Sequence, residues 1–192
     1  MGVREKMKSK LRISQHKIDS DRALPASRQR GFTLIEILVA VAIIGMVSLV
    51  LYPSIINSLE TRSLENASRD ILNTLQRAKF EAVKTRINHR VRFELSHDIW
   101  MYFIEREDNP GSWNSMPGFN RRFIPTKFTA TVNFPNQIVQ FSPLGFVSNY
   151  DSTQNSISIQ SPKLGHYNQP DQRVVSVYIG GSVQFTKVQG GE

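Results

Sequence analysis

From Ile37 to Leu59 the sequence ILVAVAIIGMVSLVLYPSIINSL runs for 23 residues without a charge. As a helix this run is roughly 35 Å long, enough to cross the hydrocarbon core of a bilayer, which makes it a transmembrane candidate. The whole chain has 192 residues. A core of ordinary size needs ~100 to 150 residues, so the remainder holds one domain and little more.

Charge fixes the expected direction of insertion. Residues 1 to 31 carry nine Lys or Arg against Glu5, Asp19 and Asp21, a net of +6, whereas the 15 basic and 13 acidic residues from Phe32 onward leave a net of only +2. Basic residues resist export, so the N-terminus is expected in the cytoplasm and the C-terminal part is expected to be exported across the membrane. An ordinary secretory signal is cut after its apolar stretch at a small-x-small site. Here that end reads Leu51-Tyr52-Pro53-Ser54-Ile55-Ile56, bulky and poorly suited, so the anchor is expected to stay. The better boundary lies before the run, where Gly31 separates the charged leader from Phe32; cleavage after Gly31 leaves Phe32 as the new N-terminus. There are no cysteines, hence no disulfide, thiolate metal site or thiol nucleophile.

Glu36 breaks the apolar pattern at the edge of the span. An ionised carboxylate at bilayer depth costs on the order of 3 kcal/mol unless it is paired or hydrated. No basic residue follows until Arg62, but cleavage after Gly31 frees an amino group on Phe32, and parallel neighbouring subunits can offer theirs. Glu36 then sets register between helices. The simpler alternative is that it snorkels to the headgroups from the helix end.

The string Gly31-Phe32-Thr33-Leu34-Ile35-Glu36, after a basic leader and before some 20 apolar residues, resembles the class III signal of type IV prepilins and type II secretion pseudopilins. The resemblance implies cutting after Gly31 by a prepilin peptidase, N-methylation of Phe32, and a role for Glu36 in docking each new subunit. A leader of 31 residues is longer than is usual there, and an internal start at Met7 shortens it without touching the site. Gly45 and Pro53 are expected to interrupt the helix, since proline removes a backbone donor and clashes with the preceding turn. In pilin-like subunits a proline there marks where the helix can extend within a filament; a kink tolerated by neighbouring backbone is the alternative.

A second helical pattern follows, with Leu64, Ala67, Ile71, Leu75, Ala78 and Ala82 spaced by three and four. Arg69, Asp70, Gln76, Arg77, Lys79, Glu81 and Lys84 read as its solvated face, with Arg77 and Glu81 placed for an i, i+4 ion pair. The helix is expected to end near Arg86-Ile87-Asn88. Strands are predicted at His89 to Leu95 and Ile99 to Arg106, joined by Ser96-His97-Asp98, and at Phe128 to Phe134, Ile138 to Ser142, Ser156 to Gln160, Val174 to Ile179 and Ser182 to Thr186. Gly180-Gly181 suits a tight hairpin turn. Residues 107 to 122, rich in Pro, Gly, Asn and Ser, read as a long exposed loop. The fold class is therefore α+β, a long N-terminal helix packed on C-terminal antiparallel sheet. The expected organisation is a removed leader over 1–31, a transmembrane and assembly helix over 32–57, and a periplasmic domain over 58–192 with helix to about 87 and strands over about 89–188.

The helical segment from Asn66 to Val83, the turn Phe141-Ser142-Pro143-Leu144-Gly145 and the final Gly180-Gly181 hairpin together resemble the GspH/FimT branch of minor pseudopilins and minor pilins. That implies a minor structural subunit of a type II secretion pseudopilus or type IV pilus, with other pilins or pseudopilins and the inner-membrane lipid as partners. No enzyme constellation is present: no metal-spaced histidine pair, no Gly-x-Ser-x-Gly and no phosphate-cradling loop. His16, His89, His97 and His166 are scattered, and no cofactor or metal is expected. DNA uptake is the rival reading, because some FimT-like pilins are DNA receptors and Arg90, Arg92, Arg121, Arg122 and Lys127 lie in the exported part. Such receptors carry arginines beside the C-terminal glycine turn, where this chain has Gly181-Ser182-Val183-Gln184.

Overall fold

The computed structural model describes residues 31–166 and 169–189, apart from the side chains of Val50 and Pro53. Residues 1–30, which include Met7, His16 and all of the expected leader but Gly31, lie outside the described residues. The chain divides into two compact units at Gly45 and Met46.

In the first unit the helix α1 (Leu34–Thr85) begins, and every described residue there is exposed. Helical backbone runs through Gly45 and Pro53 within α1. Among the described residues no single helix is long and apolar enough to cross a membrane; Leu34–Leu49 and Ser54–Thr85 meet that test only as a pair, bent at the residues between them.

In the second unit the rest of α1 carries the apolar stripe that the spacing predicts. Leu64, Ile71, Leu75, Ala78 and Ala82 are fully buried, and Ala67 packs at their margin. Ser68 and Thr74 lie buried on the same helix without loss, because each hydroxyl donates to the carbonyl oxygen four residues earlier, at 2.9 and 2.8 Å. Left-handed backbone at Arg86 stops the helix at Thr85.

Two antiparallel sheets follow. The first contains β1 (His89–Ser96), β2 (Ile99–Asn109), β3 (Ser112–Ser115), β4 (Arg122–Phe123) and, after β5 (Thr129–Asn133) and a tight turn at Pro135–Gln137, β6 (Ile138–Phe141). Its order is β3-β2-β1-β6, with β4 also paired to β2. The second sheet has the order β5-β7-β8-β9, made of β5, β7 (Ser156–Gln160), β8 (Gln172–Val177) and β9 (Val183–Val188). The one-turn helix α2 (Pro162–Gly165) precedes β8. His97 and Asp98 both have positive φ, which gives the two-residue β1–β2 hairpin the twist its strands require. Alternate residues of β1, β7 and β8, such as Val91, Phe93, Ile157, Ile159, Val175 and Val177, join the stripe of α1 in one core.

Two expectations need correction. Residues 107–122 are not simply a loop: β2 extends to Asn109 and turns at Gly111 into β3. The Glu107 carboxylate holds that turn by accepting from the Gly111 N–H (2.8 Å) and the Asn88 amide (2.6 Å), and Trp113 lies under the Arg90 guanidinium, 4.1 Å from the ring centre. Nor is the polar face of α1 uniformly solvated. Glu81 is only 5% exposed, placed between Arg77 (3.3 Å) and Lys84 (3.7 Å).

Candidate functional site: the start of the helix and the cations of the domain

α1 starts with a capping arrangement. Thr33 precedes the first helical residue; its hydroxyl accepts the Glu36 N–H at 3.3 Å, and its carbonyl accepts from Glu36 and Ile37 at 3.1 and 3.2 Å. Thr33-x-x-Glu36 is thus the capping-box pattern, with the acid in the first turn where the helix dipole favours it. Sequence reading passed over Thr33 because it treated Glu36 only as a charge beside lipid. Phe32 is 78% exposed, immediately before the cap. A Cβ built on Gly31 or Gly45 meets nothing within 4 Å, so packing gives no reason for glycine at either place. From Leu34 to Leu51 the large apolar side chains described are at least half exposed or nearly so, more apolar surface than a folded domain ordinarily leaves in water.

This is the segment that a known family describes. Residues 26–52 match the family described as the prokaryotic N-terminal methylation motif. Over those residues the chain is similar to that motif. Among solved structures the minor pseudopilin EpsH from the type 2 secretion system of Vibrio cholerae is similar at 11% identity and a TM-score of 0.49, over 65% of this chain and 97% of that one. No curated protein matches the chain.

The cations that motivated a nucleic-acid reading are placed in the domain as follows. Arg90 donates to Glu105 at 2.5 Å and covers Trp113. Arg92 lies 3.5 Å from Glu94 and 3.9 Å from Glu105. Arg122 pairs with Asp70, which also accepts from the Tyr102 hydroxyl at 2.9 Å. Burial, reinforced by that bond to Asp70, pushes the Tyr102 phenol far above its ordinary range, while Asp70 raises the pKa of Arg122. Lys127 reaches Glu60 at 3.0 Å. Arg121 alone of the five has no carboxylate partner among the described contacts; it lies over Phe103. Four of the five are thus neutralised within the domain.

Three features were not visible in the sequence. Arg173 is 2% exposed; its guanidinium donates to the carbonyl oxygens of Pro170 (2.8 Å) and Gln172 (3.0 Å) and lies 3.9 Å from Glu65. Desolvation lowers its pKa, opposed by Glu65 and Asp171. Glu65 also pairs with Lys187, and that bond holds its carboxyl below the usual range. Lys79, expected in solvent, reaches across to the carbonyl oxygens of Gly180 (3.2 Å) and Gly181 (3.0 Å), tying α1 to the β8–β9 turn. His89, His97 and His166 sit respectively in β1, in the β1–β2 turn and beside α2, and among the described residues no three His, Asp or Glu side chains form a metal-sized cluster.

Proposed function

We propose that this chain is a minor structural subunit of a pilin-type filament, a type II secretion pseudopilus or a type IV pilus. It is anchored in the inner membrane by the helix over 32–57, with its domain over 58–192 in the periplasm. Prepilin peptidase removes residues 1–31 by cutting after Gly31, and the new terminal Phe32 is N-methylated. The observation that carries this reading is the methylation motif over 26–52, with its Gly31-Phe32 junction exposed just before a helix whose large apolar side chains are also exposed.

The mechanism is mechanical. Leaving the membrane for a helical bundle exchanges lipid contact for packing between helices, so polar groups decide position where apolar contact cannot. Glu36, fixed at the third position of the helix by the Thr33 cap, supplies the one carboxylate of that stretch, and the amino group freed on a neighbouring Phe32 is its partner. Bending between Leu49 and Ser54, beside Pro53, gives the helix a place to adjust as it packs.

Mass spectrometry of the mature N-terminus tests the processing directly. The expected product begins with a methylated Phe32; a chain that keeps its basic leader in the membrane overturns the reading. Glu36→Ala is expected to leave insertion and cleavage intact and to reduce incorporation into filaments at least about tenfold, the loss of one desolvated ion pair. Filaments containing the variant at normal levels count against the role given to Glu36. DNA binding, the other reading, gains nothing from the geometry: Arg90, Arg92, Arg122 and Lys127 all meet carboxylates.

A further inference from the structure

Toward the end of the uncharged run, one face of α1 turns polar. Ser54, Asn57, Ser58, Thr61 and Arg62 recur at spacings of one, three and four and, with Gln169 from the segment before β8, line an open cleft of 310 Å³. Asn57 is only 9% exposed, yet among the described residues its side-chain amide has no hydrogen-bond partner. Nor is that amide sealed into the core: the one buried side-chain nitrogen lacking both solvent and a partner is Nε of Arg173. The Asn57 amide therefore opens into the cleft. A buried polar group left unbonded costs about 1 to 3 kcal/mol, which a ligand bonding to it recovers. The Ser58 hydroxyl already donates to the Ser54 carbonyl at 2.9 Å, so Ser54, Asn57, Thr61 and Gln169 supply the uncharged donors.

The charge at the cleft has one sign. No carboxylate lines it. Arg62 is exposed, and the acids near it along α1 are taken: Glu60 by Lys127 (3.0 Å) and Ser161 (3.2 Å), Glu65 by Lys187 and by Arg173 (3.9 Å). Arg62 also borders a second cleft that includes Asp70, but Asp70 is held by Arg122 and by Tyr102 (2.9 Å). Among the described cations of the domain only Arg62, Lys163 and Arg86 have no carboxylate, carbonyl or ring partner, and of these Arg62 alone lines a cleft of buried polar donors. Its depth is also distinctive. Arg62 stands three residues past Leu59, where the uncharged run ends, so it lies about 4.5 Å farther along the helix, and a bilayer headgroup layer is roughly 5 to 8 Å deep.

We propose that this cleft holds the phosphate of an acidic phospholipid headgroup, with Arg62 as its counter-charge and Asn57, Thr61 and Gln169 as hydrogen-bond donors. A guanidinium matches phosphate oxygens in pairs, and bonds from neutral donors to an ionised oxygen are stronger than bonds between neutral groups. With no acid in the cleft, nothing there meets the cation of a zwitterionic headgroup, so a lipid of net negative charge is preferred. The lipid's acyl chains then lie beside the apolar turns of α1 that precede Ser54. The proposal rests on the reading of the helix over 32–57 as a membrane anchor and assigns that anchor a specific lipid.

Native mass spectrometry of the full-length protein, released from nonionic micelles doped with phosphatidylglycerol, phosphatidylcholine or diacylglycerol, tests it. Phosphatidylglycerol is expected to stay bound at least about tenfold better than either of the others. Arg62→Gln, at an exposed position where folding is not at stake, and Asn57→Ala should each abolish that preference. Arg86→Gln, the same loss of charge at the other end of α1, should leave it intact, and an equal concentration of inorganic phosphate should not displace the lipid. The proposal fails if the three lipids are retained alike, if Asn57→Ala binds like the parent, if Arg86→Gln weakens binding as much as Arg62→Gln, or if inorganic phosphate displaces the lipid. Flotation with phosphatidylcholine vesicles separates this from the anchor reading. Protein that does not float with them overturns the anchor and the site together, whereas protein that floats but shows no lipid preference overturns the site alone.

Discussion

An alanine in place of Gly181 would drive its methyl group into the carbonyl oxygen of Gly145, at a φ of +69° that side chains disfavour. The clash partner is backbone, so it cannot step aside cheaply. Gly181→Ala is therefore expected to destabilise the domain by about 2 kcal/mol or more, visible as a lowered midpoint in thermal or urea unfolding. Lys79→Met keeps the stem that packs against Gly145 but loses two charge-assisted bonds to the turn, and about 1 to 2 kcal/mol is expected. At the other end, Thr33→Ala removes the cap of α1 and is expected to cost about 1 kcal/mol of local helix stability, read as faster amide exchange over residues 34–37. The Thr33 pattern was present in the sequence all along, a threonine three places before an acid. Lys79 was not legible, because only the fold brings a turn 101 residues away within its reach.

Along α1 the same helical period places residues with opposite fates. Ile71 is fully buried, and Ile71→Ala is expected to cost about 2 to 5 kcal/mol. Phe80, nine residues on, is mostly exposed, and Phe80→Ala should change stability by no more than about 0.5 kcal/mol. Unfolding curves of the two variants side by side check the contrast. The stripe from Leu64 to Ala82 was readable because periodicity reports which face meets the core. It could not report Glu81, whose burial depends on Arg77 and Lys84 closing over it. The β1–β2 and β8–β9 hairpins were legible from turn chemistry and alternation. β3 was not, since Pro, Gly and Asn signal a turn equally well whether the flanking residues pair or stay irregular, and pairing here depends on Trp113 finding Arg90. The division of the strands into two sheets was likewise hidden, because alternation marks a buried face without naming the strand's neighbour.

For the molecule as a whole, acid is the expected weakness. Glu65 is held low by Lys187, Glu107 by the Gly111 N–H and then Asn88, Asp108 by Asn114 and then Arg106, and Asp151 by the Thr153 hydroxyl and then its N–H. Carboxyls depressed in the folded state contribute stability that is present above their unfolded values of about 4 and lost as pH falls through their folded ones. Unfolding midpoints should thus hold near neutrality and drop below about pH 4.5, with Glu65→Gln lowering the neutral plateau and flattening that dependence. The contact between Gly145 and Gly181 bears on how the protein can be labelled. A hairpin tip near the C-terminus is ordinarily the first choice for inserting an epitope or fluorophore, since exposed tips tolerate added chain. Here the tip is wedged at Gly181 between the Gly145 carbonyl and Lys79, so added chain at that tip would break the contacts that hold it to α1 and to the neighbouring turn.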